Sequence, residues 1–221
     1  MTDHANLCLI AVNRGGHATF DLNGQPVATG FFKTPAAGPV AVSALGLAGD
    51  VVADQAHHGG PDQAVYLYSA EDYRWWSAQL GRELAPGWFG ENLTVSGFGA
   101  QPVRIGDRFR CGALLLEISF ARIPCGKLAA RMNDAGFNAR FIAANRPGYY
   151  ARVLVEGEVG AGARLERLGG GEDFPTADEL FALWHQPRRD PAQLRRGLAA
   201  PIAARARAVF QRWLAEAENP A

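Results

Sequence analysis

The residues best equipped for chemistry gather in one stretch, Ser119-Phe120-Ala121-Arg122-Ile123-Pro124-Cys125-Gly126-Lys127. Cys125 follows a proline and stands between Arg122 and Lys127. Two nearby cations lower a thiol's pKa and favour the thiolate, the form that binds metal or attacks an electrophile. The blander alternative is a Pro-Cys-Gly turn that ends a strand beside two solvated cations. A second concentration is Gly46-Leu47-Ala48-Gly49-Asp50, followed by His57-His58-Gly59-Gly60-Pro61-Asp62. It sets imidazoles and a carboxylate beside backbone that glycine lets a ligand approach. Zinc is a poor fit there, because adjacent histidines usually point apart and no third spaced ligand follows. The same residues serve equally as a tight loop held by a His-Asp pair.

A third patch is Phe89-Gly90-Glu91-Asn92-Leu93. Asn92 carries both donors and acceptors, as reading the edge of a heterocycle requires, and Glu91 suits either a general base or a loop anchor. Lys33-Thr34 at a strand end and Arg152 within a strand add cations and a hydroxyl of the kind that holds phosphate, unless they are simply solvated. No Ser-His-Asp set or paired carboxylate stands out, no Gly-Lys-Ser/Thr phosphate loop occurs, and Gly160-Ala161-Gly162 lacks the full dinucleotide-binding spacing.

These residues need elements to position them. From Leu7 to about Leu168 the chain is short apolar runs separated by glycine, proline and Asn23-Gly24, the pattern of many strands. Strands are expected at 7–12, 17–22, 29–33, 65–68, 92–95, 108–110, 114–119, 149–156 and 164–168, most easily closed into a barrel that leaves no free edge. Ser69 caps a helix through Trp76, a second helix begins near Cys125 and runs through Met132, and 137–144 forms a third. Past Gly169-Gly170-Gly171, Thr176-Ala177-Asp178-Glu179 is a capping box, Asp190-Pro191 opens another helix, and Pro201 opens a last one. The expected division is a barrel over 1–168 and a three-helix unit over 174–221. His185 in that unit reads as a cap or surface residue.

The 221 residues suffice for one sizeable domain with an appendage. A content of 48% hydrophobic and 20% charged residues is that of a globular chain. Lysine plus arginine, 22, balance aspartate plus glutamate, 22, which argues against a partner that is a nucleic-acid polymer. The run Leu7 to Val12 is too short for a signal core or a membrane span, so a cytoplasmic protein is expected. Three cysteines without a CxxC pair indicate neither a zinc ribbon nor a disulfide framework, and Cys8 and Cys111 read as small buried apolar side chains.

Taken in order, the patches resemble one family, the MOSC domain, named for the C-terminal domain of molybdenum cofactor sulfurase. The resemblance rests on Phe32-Lys33-Thr34-Pro35, Gly46-Leu47 with Gly49-Asp50, His58-Gly59-Gly60-Pro61-Asp62 with Ala64-Val65, and Phe89-Gly90-Glu91-Asn92-Leu93. It continues through Gly106-Asp107, Arg122-Ile123-Pro124-Cys125 with Lys127-Leu128, and Gly148-Tyr149-Tyr150 with Arg152-Val153. The tail resembles the accessory region of the bacterial YiiM-like branch. The resemblance implies a mainly β fold with α, a β-barrel with peripheral helices, binding a molybdopterin-type molybdenum cofactor. It makes Cys125 the catalytic residue and the protein's thiolate ligand to molybdenum. Lys33 and Thr34 match a phosphate-binding position, and Arg122 and Arg152 become further anion contacts. His58, Gly59, Gly60, Asp62 and Asn92 line the pterin or the site entrance.

The implied activity is that of a molybdenum-dependent oxidoreductase that reduces N-hydroxylated bases and hydroxylamines to amines. Its partners are the small N-hydroxylated substrate and a separate electron-donor protein, since no flavin, haem or iron-sulfur motif is evident. No membrane partner is expected, and a homodimer stays open. The alternative within the same resemblance is a molybdenum cofactor or sulfur carrier, with Cys125 as ligand or persulfide site. Two departures bear on substrate choice: Gly126 stands where the branch often has an aromatic residue, and His57 is an extra histidine.

Overall fold

The computed structural model describes residues 7–22, 24–54, 58–98 and 101–219. The chain begins with β1 (Leu7–Arg14), the hairpin β2 (Ala18–Leu22) and β3 (Gln25–Thr29), and the short β4 (Thr34–Pro35), β5 (Val40–Ser43) and β6 (Gly46–Leu47). β7 (Val65–Ser69), α1 (Ala70–Leu80) and β8 (Leu93–Ser96) form a crossover unit, followed by β9 (Arg108–Cys111) and β10 (Leu114–Ala121). Then come α2 (Gly126–Met132), α3 (Phe137–Ala144), β11 (Tyr149–Val155), β12 (Gly157–Val159) and β13 (Arg164–Gly169). The tail consists of α4 (Ala177–His185), α5 (Pro191–Ala199) and α6 (Ala204–Glu218).

Seven strands close on themselves in the order β13-β9-β10-β11-β7-β8-β1, with Leu7 of β1 pairing Leu165 of β13 to complete the ring. Closure satisfies edge N–H and C=O groups that an open sheet would leave to solvent. Only β7 and β8 among these neighbours run parallel, and α1 supplies the long connection that a parallel pair requires. Leu9, Leu67, Phe109, Leu116, Ile118 and Ala151 fill the interior with essentially no exposure. The expected barrel is therefore the observed one.

Several boundaries differ from the sequence expectation. The strand placed at 29–33 lies instead at Gln25–Thr29, because the chain turns sharply after it. A Cβ on Gly30 would sit 1.8 Å from the Val51 carbonyl oxygen, so that close approach needs glycine. Lys33 N–H then donates to the Phe31 carbonyl, which keeps 31–33 out of a ladder. β5, β6 and β12 form a small separate sheet that the sequence reading did not contain. The Asn23-Gly24 turn involves Asn23, which lies outside the described residues; β2 and β3 do pair across it. The final helix begins at Ala204 rather than Pro201, because Ala203 has ψ 139 and its N–H donates to the Ser119 carbonyl.

The local cap signals hold. Ser69 Oγ accepts from the N–H groups of Glu71 and Asp72, Thr176 makes the reciprocal capping box with Glu179, and Asp190 accepts from Ala192 N–H. The tail packs directly on the barrel: Phe120 of β10 meets Trp184 and Phe210 edge-on, within one continuous buried cluster. Asp62 Oδ2 accepts from Ala204 N–H and Ser119 O from Ala203 N–H, which joins α6 to the barrel mouth. No helix among the described residues is long and apolar enough to cross a membrane.

Candidate functional site

β10 delivers Arg122 off the end of the barrel, and Ile123-Pro124 carries the chain to Cys125, the residue that caps α2. Pro124 disfavours the helical region for Ile123, and Cys125 takes the extended conformation usual for an N-cap residue, with its half-buried thiol facing a cleft. Burial alone would raise that thiol's pKa. The hydrogen bond with His58, the positive charge of Arg122 and the Lys127 backbone N–H outweigh burial and hold it at about 6. The thiolate is thus the prevailing form at neutral pH.

Arg122 is almost wholly buried, which is unusual for a guanidinium. Its charge is stabilised by aromatic faces: Phe31, Tyr66 and Phe141 have ring centroids 5.4, 5.5 and 5.8 Å from the guanidinium carbon. Tyr150 also hydrogen-bonds it. Among the described residues no carboxylate pairs with Arg122, and its Nη1 is buried without a hydrogen-bond partner.

The opposite wall is a closed polar network. Lys33 Nζ lies 2.5 Å from Asp50 Oδ2, which also accepts from Asn92 Nδ2 at 2.8 Å, while Asp50 Oδ1 accepts from Gly15 N–H at 2.8 Å. Burial pulls the Lys33 pKa down against the attraction of Asp50. Asn92 Oδ1 accepts from Tyr66 N–H, so the Asn92 amide links β7 to Asp50. Glu91, just behind, accepts from Gly87 N–H, Thr94 Oγ1 and Tyr73 OH, and burial pushes its pKa up. It anchors its loop and does not line the cleft, which decides between the two roles its sequence context allowed.

Lys33, His58, Gly59, Asn92, Arg122 and Cys125 therefore converge on one cleft. Four expected residues sit elsewhere. Thr34 is exposed and pairs with Arg14. Gly60, at φ +82, lies on the neighbouring depression beside Leu45. Asp62 and Arg152 are 2.8 Å apart, and Arg152 also meets Glu117 and the Pro201 carbonyl, so both are engaged in joining barrel to tail. His57 lies outside the described residues. The cleft also contains Phe31, Asp50, Gln63, Tyr66 and Tyr150, for which the sequence reading had assigned no site role. Asp50 stood within a recognised motif, but only the fold shows that it faces Lys33. His185 ends α4 with its ring against Phe181, away from the cleft.

Among the described residues no group of three or more His, Cys, Asp or Glu side chains could hold a metal ion. A metal in this cleft would take one thiolate from the chain and must bring its remaining donors with it. That donor set, with an unpaired guanidinium atom beside it, fits an anionic cofactor that carries its own sulfur ligands.

A family model described as MOSC domain matches residues 54–166. The chain is 40% identical over 164 residues to the uncharacterized protein YflK of Bacillus subtilis, covering 74% of each. It is 33% identical over 159 residues to a protein named reductase from Gibberella moniliformis, covering 70% of this chain and 28% of that much longer one. The crystal structure of YiiM from Geobacillus stearothermophilus superposes with a TM-score of 0.78 at 28% identity, over 94% of this chain and 99% of that one. On sequence and fold together, the chain belongs to the MOSC domain family.

Proposed function

We propose that this protein is a molybdenum-cofactor-dependent reductase that converts N-hydroxylated bases and hydroxylamines to amines. The observation that carries the reading is Cys125, a single thiol held near pKa 6 beside an unpaired buried guanidinium. Family membership and the reductase-named relative support the same class of chemistry. When bound, a molybdopterin-type cofactor supplies a two-electron centre at which the N–O bond breaks: two electrons and two protons go in, and an N–H bond and water result. A separate donor protein supplies the electrons.

The chain's own residues have distinct work. Cys125 provides the thiolate ligand, kept deprotonated by the Arg122 charge and by hydrogen bonds from His58 and Lys127 N–H. Arg122 offers a charged donor to an anionic part of the cofactor at no cost in breaking an ion pair. Lys33 is already paired with Asp50, so its wall contributes a fixed dipole more than a free charge. Phe31, Tyr66 and Tyr150 present aromatic surface suited to a planar ligand.

The test is amine formation by cofactor-loaded protein from N-hydroxylated adenine, with a reduced viologen as electron source. The expected result is adenine production that falls at least about a hundredfold in Cys125→Ala. Fully loaded wild-type protein that forms no amine would overturn the reductase reading. A persulfide on Cys125 that passes its sulfur to an acceptor would favour the carrier instead.

A further inference from the structure

Two buried polar atoms in the cleft have no partner among the described residues. Asn92 is used by Asp50 and Tyr66 N–H, Asp50 by Lys33, Asn92 and Gly15 N–H, and Tyr66 OH donates to the Pro147 carbonyl. Of the described residues lining the cleft, only Arg122 Nη1 and Gln63 Oε1 are buried without a partner. A buried polar atom left unpaired costs about 1–3 kcal/mol, a cost that a ligand making the missing bond removes. Arg122 offers a donor to an anion. Gln63 offers the opposite, an acceptor.

The backbone holding Gln63 is fixed from three sides. Its N–H donates to the Gly60 carbonyl, the Asp62 carbonyl before it accepts from Ser119 Oγ, and the Asp62 carboxylate is clamped by Arg152. Arg152 and Asp62 thus act at the site through Gln63, as positioning residues. An acceptor on backbone fixed in this way discriminates between ligands that can and cannot donate to it, because the poorer ligand leaves it unpaired.

We infer that Gln63 is a specificity-determining residue that accepts a hydrogen bond from an N–H of the bound substrate, so that the site prefers N-hydroxylated amidine-type bases to hydroxylamines without such a donor. This rests on the reductase reading above. The heterocyclic N–H it accepts could also belong to the cofactor, and the experiment separates the two.

Wild type, Gln63→Leu and Gln63→Glu are matched for molybdenum and assayed with N-hydroxylated adenine and with N,N-dimethylhydroxylamine, which has no N–H. Gln63→Leu is expected to lose about tenfold in kcat/KM on the base, through KM, with no change on the dialkyl compound. Gln63→Glu, which retains an acceptor, keeps the preference. Equal losses on both substrates, or none, overturn the inference. Lower molybdenum and pterin content in Gln63→Leu as purified, before matching, assigns the bond to the cofactor and overturns it also. If wild type reduces neither compound, the reductase reading fails while Gln63 is still tested, by calorimetric titration of adenine into the same preparations. A tenfold weaker Kd in Gln63→Leu then supports recognition of the base, and an unchanged Kd contradicts it.

Discussion

Cys125 and Arg122 have opposite solvation problems that solve each other. The thiol is half-buried and needs nearby positive charge to ionise; the guanidinium is buried without a carboxylate and gains from a nearby thiolate. Alkylation by iodoacetamide should expose this directly in cofactor-free protein. The depressed pKa means that thiolate accumulates as pH rises through about 6, so the rate should level off by neutral pH, whereas an ordinary cysteine is still climbing near pH ~8.5. His58→Ala removes the hydrogen bond and should move the midpoint upward. Lys33 and Asp50 are coupled differently, as a nearly dry ion pair. Asp50→Ala would strand the ammonium and is expected to cost about 3–5 kcal/mol in urea unfolding, whereas Lys33→Met with Asp50→Leu together should recover much of that loss. The Arg122-Cys125-Lys127 grouping was legible in the sequence because its members lie within one turn of chain. Asp62 and Arg152 were not: Arg152 has the right chemistry for an anion and Asp62 for a ligand's donors, but the fold sets them against each other, and no local pattern encodes a partner 90 residues away.

At the scale of elements, the cleft depends on backbone approaches that side chains would block. Gly90 has φ +78, and a Cβ there would meet the Phe31 ring at 2.5 Å. Phe31 is one of the rings around Arg122, so Gly90→Ala should both strain the turn and displace that ring, lowering stability by about 1–3 kcal/mol. The checks are the unfolding midpoint and a shift of the Cys125 alkylation profile to higher pH. Helix starts were readable because a cap is a local contract between a side chain and the next N–H groups, as at Ser69, Thr176 and Asp190. The small β5-β6-β12 sheet was not, since β6 has two residues and β12 three, too few for alternation to register. The stretch 29–33 misled because Phe31-Phe32 has strand composition, while Gly30 and the Val51 carbonyl dictate a turn.

Across the whole molecule, the tail helices lean on the same strand ends that shape the site. Arg152 is the junction, meeting Asp62, Glu117 and the Pro201 carbonyl. Arg152→Met should therefore lower global stability by about 1–3 kcal/mol while leaving molybdenum per folded molecule unchanged. Arg122→Met should do the reverse, sparing most of the stability and losing the metal. Barrel and helical tail were both foreseeable from punctuation and periodicity, but their shared core, with Phe120 of β10 between Trp184 and Phe210, depends on contacts far apart in sequence.

Whether Cys125 holds a molybdopterin-type cofactor is answered by measuring molybdenum and pterin in protein purified from a host that makes the cofactor. Wild type should carry both in near-equal amounts, and Cys125→Ser, folded to the same unfolding midpoint, should lose at least about nine-tenths of the molybdenum. Wild type devoid of molybdenum and pterin, or Cys125→Ser loaded as fully as wild type, would contradict the account.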